Sequence, residues 1–246
     1  MPKSIFIGIP VLNRLDLLRK CLDRIDLPAH VLIVNNNAHD EGFNERMLYA
    51  AGRRGLDLRN QERNLGVAAS WNFIIREGMR MGHELIFIGS NDTLLRPGAL
   101  ESVVAYHKTD NEVSWHINGW NFFAIHARAV ERVGWFDENF YPAYKEDQDY
   151  NYRCDHLAGA KRVAGPCFGR AEHLGSQTIR SNPDYLALND RTSRWNRDFY
   201  IRKWGGDAGC EQFTTPFGRA DKDWRWWPDP GASIADRCWH AEHRTR

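Results

Sequence analysis

Over the first 110 positions the chain alternates short, nearly continuous apolar runs with stretches whose apolar residues recur every three or four positions. Residues 4 to 9 form an apolar run that ends at Pro10. Leu15, Leu17, Leu18, Leu22 and Ile25 then follow at helical spacing, so the chain opens as strand, loop and helix. Residues 31 to 34 read as a second buried strand, stopped by Asn35, Asn36 and Asn37, and a helical stretch near 44 to 54 leads into a short strand at 56 to 58. Residues 67 to 81 carry an amphipathic helical pattern, and residues 84 to 88 are a fourth strand ending in Gly89, Ser90, Asn91 and Asp92. Pro97 suits the first turn of a helix that runs to about His107.

Nearly all-apolar strands alternating with helices predict an α/β fold of Rossmann-like type, its mostly parallel central sheet flanked by helices on both faces. Ligands bind such sheets at the loops that leave the carboxyl ends of the strands. After residue 110 the alternation is lost and aromatic residues gather, so this half is expected to shape a pocket. Residues 183 to 204 read as a long helix. From Gly205 a tail rich in Gly, Pro, Trp and charge gives a helical and irregular carboxyl-terminal extension.

The 246 residues, 42% hydrophobic and 26% charged, suffice for one large core with an appendage. Lys plus Arg number 33 against 32 Asp plus Glu, and this balance supplies no general field toward nucleic acid or an anionic membrane. The five cysteines form no CxxC pair, which points to packing thiols in a reducing compartment. The opening apolar run is too short for a secretory signal, and no stretch reaches the ~20 apolar residues of a membrane span. The expectation is a soluble, cytoplasmic protein, monomeric or homodimeric.

Four polar clusters could carry chemistry. The first collects Pro10, Asn13 and Arg14 after strand one, Asn35 and Asn36 after strand two, and Arg63, Asn64 and Gly66 ahead of a helix. Amides there can read a base, Arg can neutralise a diphosphate, and a helix amino terminus can hold an anion. The second is Ser90, Asn91 and Asp92, where Asp92 suits a hard divalent ion that keeps water and phosphate oxygens as its other ligands. The third packs Glu146, Asp147 and Asp149 into four positions, close enough for repulsion to raise at least one pKa, as a general base requires. The fourth is His173. Trp120, Trp135 and Tyr144 offer aromatic faces for an acceptor. Turn, cap and core packing roles compete with each of these assignments.

In order along the chain, residues 9 to 14, 34 to 36, 63 to 66 with Trp71 and Asn72, 90 to 92, 134 to 138 with Phe140, Glu146 with Asp147, and His173 resemble the family-2-like inverting glycosyltransferases of the GT-A fold, notably the rhamnosyltransferase-like branch. The resemblance runs from about Ile5 to Ser176. It implies a catalytic unit over residues 1–180, with a nucleotide-binding half at 1–110 and an acceptor half at 111–180. Residues 181–246 would be a helix and Trp-rich tail packed on that unit.

The resemblance also implies roles. Asn35 and Asn36 stand where the family reads the base, Pro10, Asn13, Arg14, Arg63, Asn64, Gly66, Asn72 and Asn91 lie along the nucleotide site, Asp92 is the last acid of the metal motif and His173 approaches the metal or diphosphate. Asp147, beside Glu146, is the catalytic base, and Trp120, Trp135, Tyr144 and Asp149 face the acceptor. Ser90 replaces the first metal acid, so Mn2+ or Mg2+ is expected mainly as the metal–nucleotide complex.

The expected reaction is metal-dependent transfer, with inversion, from a nucleoside-diphosphate sugar to an acceptor hydroxyl; UDP- or dTDP-sugars are favoured. A glycan, a protein and a hydroxylated DNA base all remain open as acceptor. Two rivals are a catalytically degenerate sugar- or nucleic-acid-binding module and a nucleotidyltransferase; the second would show a Gly-rich loop after strand one, which residues 9 to 14 lack. In the tail, Trp224, Trp226 and Trp227 are expected to pack on the domain. Cys210, Cys238, His240 and His243 match no strong zinc spacing.

Overall fold

The computed structural model describes residues 5–37, 39–107, 111–165 and 167–225. Trp226, Trp227, Cys238, His240 and His243 lie outside these residues.

The first half continues the expected alternation as β1 (Ile5–Val11), α1 (Leu15–Leu22), β2 (Ala29–Asn35), α2 (Glu41–Arg54), β3 (Asp57–Asn60), α3 (Gly66–Arg80) and β4 (Leu85–Gly89). Then follow β5 (Thr93–Leu95), α4 (Ala99–Tyr106), β6 (Glu112–Asn118), β7 (Phe122–His126), α5 (Arg128–Arg132), α6 (Glu146–Tyr152), β8 (Lys161–Val163), β9 (Ala171–His173), α7 (Gln177–Arg180) and α8 (Pro183–Trp204). The main sheet has seven strands in the order β3-β2-β1-β4-β7-β6-β8, and β7 alone runs against its neighbours. The sheet is mostly parallel, as the apolar strands predict.

Along β1 the side chains divide between two cores. Ile7 and Ile9 face a cluster completed by Leu18 and Cys21 of α1, Phe43 and Met47 of α2 and Leu100 and Val103 of α4, while Phe6 faces one built with Ala68, Trp71 and Ile74 of α3. Close approach of α3 depends on Gly8, where a Cβ would stand 2.2 Å from Ile74 Cγ2. The amino terminus of α3 is thereby fixed at the carboxyl edge of the parallel strands, where ligand loops gather.

Two elements differ from expectation. The stretch after residue 110, expected to lack regular alternation, contains β6, whose residues alternate polar and apolar from Glu112 to Asn118 with both sets largely buried, and β7, a short apolar run from Phe122 to Ile125. Pro97 does not enter α4; Gly98, at φ 75, turns the chain into the helix instead.

The long helix falls where its caps place it. Asn182 accepts from the Asp184 and Tyr185 amides, Pro183 occupies the first turn, and Gly205 at φ 76 ends it. Its carboxyl half buries Phe199, Tyr200 and Trp204 against Phe140 and Tyr152, and Trp224 packs on the same cluster. No described helix is long and apolar enough to cross a membrane.

Candidate active site

A cavity of about 280 Å3 opens at the carboxyl edge of β1 and β4. Pro10 lines it from the end of β1, Leu12 and Asn36 from the loops after β1 and β2, Ser90, Asn91 and Asp92 from the loop after β4, and Glu146 and Asp147 from α6. Asn64, Gly66, Trp120, Tyr144 and His173 complete the sequence-predicted residues on its wall. Among the described residues, three carboxylates and one imidazole line it, and no Lys or Arg does.

Asp92 and His173 lie 81 positions apart in sequence and meet because β9 pairs with β5, which sets Thr93 opposite His173. His173 Nε2 is 3.2 Å from Asp92 Oδ1, the Ser90 hydroxyl donates to the same oxygen at 2.8 Å, and the Gln177 amide donates to Asp92 Oδ2 at 3.2 Å. Burial pushes the Asp92 carboxyl up, but the bonds from His173 and Ser90 outweigh it and hold the group below its ordinary value. Asp92 is therefore an anion at neutral pH. Among the described residues no three His, Cys, Asp or Glu side chains come together as a metal-ligand set. One carboxylate and one imidazole fit a divalent ion that takes its remaining ligands from water and substrate oxygens, and do not fit one held by protein alone.

The acidic segment divides by function along α6. Asp147 is half-buried on the pocket wall, with Oδ1 accepting from the Gln148 amide at 2.8 Å, and burial raises its carboxyl above the ordinary value. Glu146 is 5% exposed and lines the same cavity. Burial, then repulsion from Asp147, lifts its pKa well above the usual carboxylate range, and its Oε2 has no hydrogen-bond partner.

Asp149, expected to face the acceptor, instead points into the protein. It accepts from Lys203 Nζ at 2.6 Å, Trp204 Nε1 at 2.8 Å and Arg153 Nε at 2.9 Å, and Lys203 also donates to Asp137 at 2.8 Å. Burial pushes both carboxyls up; Lys203 and Arg153 outweigh this at Asp149, which ends low, and not at Asp137, which ends high. Positions 147 and 149 are about 200° apart around a helix, so the two acids take opposite sides.

Most of the loop amides hold the loops together. Asn35 is fully buried outside the cavity; its Nδ2 donates to Asn44 at 3.1 Å and Asn60 at 2.9 Å, and its Oδ1 accepts from the Asn37 amide. It has no edge left for a base. Asn36 reaches the cavity while bonding Ser70 Oγ at 2.9 Å and the Leu65 amide at 3.1 Å. Asn72, also fully buried, binds Phe136 O and Glu138 Oε1, both at 2.9 Å, and so fixes the 136–138 segment rather than a nucleotide.

Asn13 donates to Thr178 O at 2.8 Å, and Asn91 donates to Asn13 O at 2.8 Å while accepting from Thr178 Oγ1, so this pair ties two loops to α7. The expected backbone anion cradle is occupied as well: Asn64 Oδ1 caps the Gly66 amide at 2.9 Å and Pro142 O accepts from the Val67 amide at 2.7 Å. Arg14 pairs with Asp16 at 2.8 Å outside the cavity. Arg63 is exposed beside Asn64 and is not among the lining residues.

Trp120 is on the wall, stacked on Trp71 at 5.9 Å and donating to Asn151 Oδ1 at 3.0 Å. Tyr144 is there too, exposed at φ 76. Trp135 is not; it packs against the core beside α3. Sequence reasoning missed Tyr185, Leu188 and Asn189 of α8, which also line the cavity. Their i, i+3, i+4 spacing continues into buried Thr192, Asn196 and Lys203, a stripe that could have marked them.

The architecture matches solved enzymes over much of its length. A mannosyltransferase from Pyrobaculum calidifontis, solved with GDP-Man and Mn2+, superposes with a TM-score of 0.53 at 17% identity, covering 76% of this chain and 64% of that one. The fold is that of the GT-A glycosyltransferases. GalNAc-T7, solved with UDP, GalNAc and Mn2+, shares the GT-A fold at a TM-score of 0.53 and 12% identity, over 81% of this chain and 50% of that one. A galactofuranosyl glycosyltransferase of Leishmania donovani is 48% identical over 107 residues, which is 44% of this chain and 23% of that relative's length. No family model matches the chain.

Proposed function

We propose that the protein is a glycosyltransferase that moves a sugar from a nucleoside-diphosphate sugar to an acceptor hydroxyl, with a divalent cation and with inversion. The observation that carries this reading is that Asp92, paired with His173, and Asp147 line one cavity at the carboxyl edge of the parallel strands. A diphosphate entering a cavity lined by carboxylates without Lys or Arg brings unfavourable charge unless a cation enters with it. Asp92 and His173 would hold such an ion, which supplies charge stabilisation for the leaving diphosphate. The GDP-Man and Mn2+ of one fold neighbour, and the UDP, GalNAc and Mn2+ of the other, are of this chemical kind.

The transfer balances with this chain's own groups. Asp147 takes the proton from the acceptor hydroxyl, the oxygen bonds to the anomeric carbon, and the bond from that carbon to the diphosphate oxygen breaks on the opposite face. The diphosphate leaves with the electron pair. The raised pKa of Asp147 brings a carboxylate closer to the operating pH of a general base. With Asn35 sealed inside the protein, the donor base is a matter for a ligand screen rather than for that residue.

The test is release of nucleoside diphosphate from UDP-, dTDP- and GDP-hexoses, with and without Mn2+. Metal-dependent release from one donor supports the reading. Tight sugar binding with no donor turnover at any metal concentration overturns it in favour of a binding module.

A further inference from the structure

Two residues of the cavity wall each carry a buried oxygen that has no hydrogen-bond partner among the described residues: Glu146 Oε2 on α6 and Asn189 Oδ1 on α8. Buried polar atoms in folded proteins are nearly always hydrogen-bonded, and an orphan that lines a cavity is accounted for when a ligand supplies the missing bond. Glu146 itself is 5% exposed, so water does not readily serve it. The two come from segments 43 positions apart, and Tyr185 and Leu188 stand on the same stripe of α8 as Asn189.

Their place says what they meet. Glu146 is next to Asp147, the group that the proposed mechanism sets on the acceptor hydroxyl, and Asn196 ties α8 to the segment just ahead of α6 by donating to Ala143 O at 2.7 Å and Tyr144 O at 3.1 Å. The molecule beside Glu146 and α8 is therefore the acceptor.

We infer that Glu146 and Asn189 form an acceptor subsite for the ring hydroxyls of a glycan, with Tyr185 and Trp120 as its apolar walls; this rests on the glycosyltransferase reading above.

The chemistry of the wall suits this class and disfavours a DNA acceptor. The Glu146 carboxyl and the Asn189 amide both hydrogen-bond with hydroxyl groups, and burial with repulsion from Asp147 shifts Glu146 toward its donor form. Aromatic faces suit the C–H faces of a sugar ring. A DNA acceptor would bring phosphates, and no Lys or Arg lines the cavity to receive them.

The experiment offers the whole chain, with UDP-, dTDP- and GDP-hexoses as donors, three acceptor probes: methyl hexopyranosides and hexofuranosides, a Ser/Thr peptide, and an oligonucleotide bearing hydroxymethylcytosine. The readout is the ratio of transfer to donor hydrolysis in the same reaction. Transfer is expected to the glycosides, with the ratio falling about tenfold or more in Asn189→Leu and recovering in Asn189→Ser, which restores a polar partner. Melting curves of both variants report on folding.

A ratio unchanged within about twofold in Asn189→Leu, or transfer to the peptide or oligonucleotide alone, overturns the inference while leaving the glycosyltransferase reading intact. Donor turnover absent from the unsubstituted chain removes that reading, and the subsite with it.

Discussion

Lys203 Nζ donates to Asp149 Oδ1 at 2.6 Å, and through that bond the long helix α8 holds the short helix that carries Asp147. Both side chains are all but fully buried, and Arg153 and Asp137 balance them, so two acids and two bases share one dry site. Removing one partner leaves charge buried without compensation.

Lys203→Met is expected to destabilise the fold by about 3–5 kcal/mol, read as a lower urea midpoint. Turnover should fall as well, because α6 loses its anchor. A stability change below about 1 kcal/mol would show that the cluster is not needed to hold α6.

Glu146 should make the protein less stable as pH rises. Its folded-state pKa lies well above the ordinary carboxylate value, so its contribution is fully present below the unfolded pKa and is lost as pH climbs through the folded one. Glu146→Gln keeps the shape and removes the charge. The variant should therefore melt higher than the parent at pH 8, by about 1–3 kcal/mol of stability, and match it near pH 4. Melting curves across that range decide it; equal pH slopes in the two proteins would contradict the assignment.

The difference between Glu146, Asp147 and Asp149 shows what could be read from residues alone. Three acids in four positions announce an unusual site, yet only the helical phase of α6 tells that Asp147 and Asp149 take opposite sides. The alternation over the first half was legible because its strands are apolar throughout, and α8 because Asn182, Pro183 and Gly205 mark its ends. β6 and β7 carried a strand signal that the gathered aromatic residues obscured: Glu112 to Asn118 alternates polar and apolar side chains, and its polar set is largely buried like its apolar one.

The asparagines were the least legible residues. Asn35, Asn72 and Asn91 have the composition of a binding edge, and their partners lie up to 87 positions away in sequence. A loop-tying amide and a ligand-reading amide look alike until the fold brings those partners in. His173 and Asp92 meet by the same long-range route, through the β5–β9 pair.

Asp147→Asn should lower turnover by about 100-fold or more while nucleotide binding persists, because the variant keeps the side-chain shape but cannot take a proton. In the parent, turnover should rise with pH through a pKa above the ordinary carboxylate value, since the base must be ionised. A pH–rate profile with unchanged shape in the variant would remove Asp147 from the role.

Asp92→Asn should raise the Mn2+ concentration needed for half-maximal turnover by about tenfold or more. EDTA should abolish donor turnover, and added Mn2+ or Mg2+ should restore it. Titration of the metal in both proteins checks this.

The most direct measurement is a thermal-shift screen of UDP, dTDP, CDP and GDP, each with and without Mn2+, since a ligand that binds only the folded state raises the melting temperature by mass action. The expected result is a shift for one diphosphate that needs the metal and is lost in Asp92→Asn. No shift with any nucleotide under any metal condition would contradict a nucleotide-sugar transferase and favour a binding module.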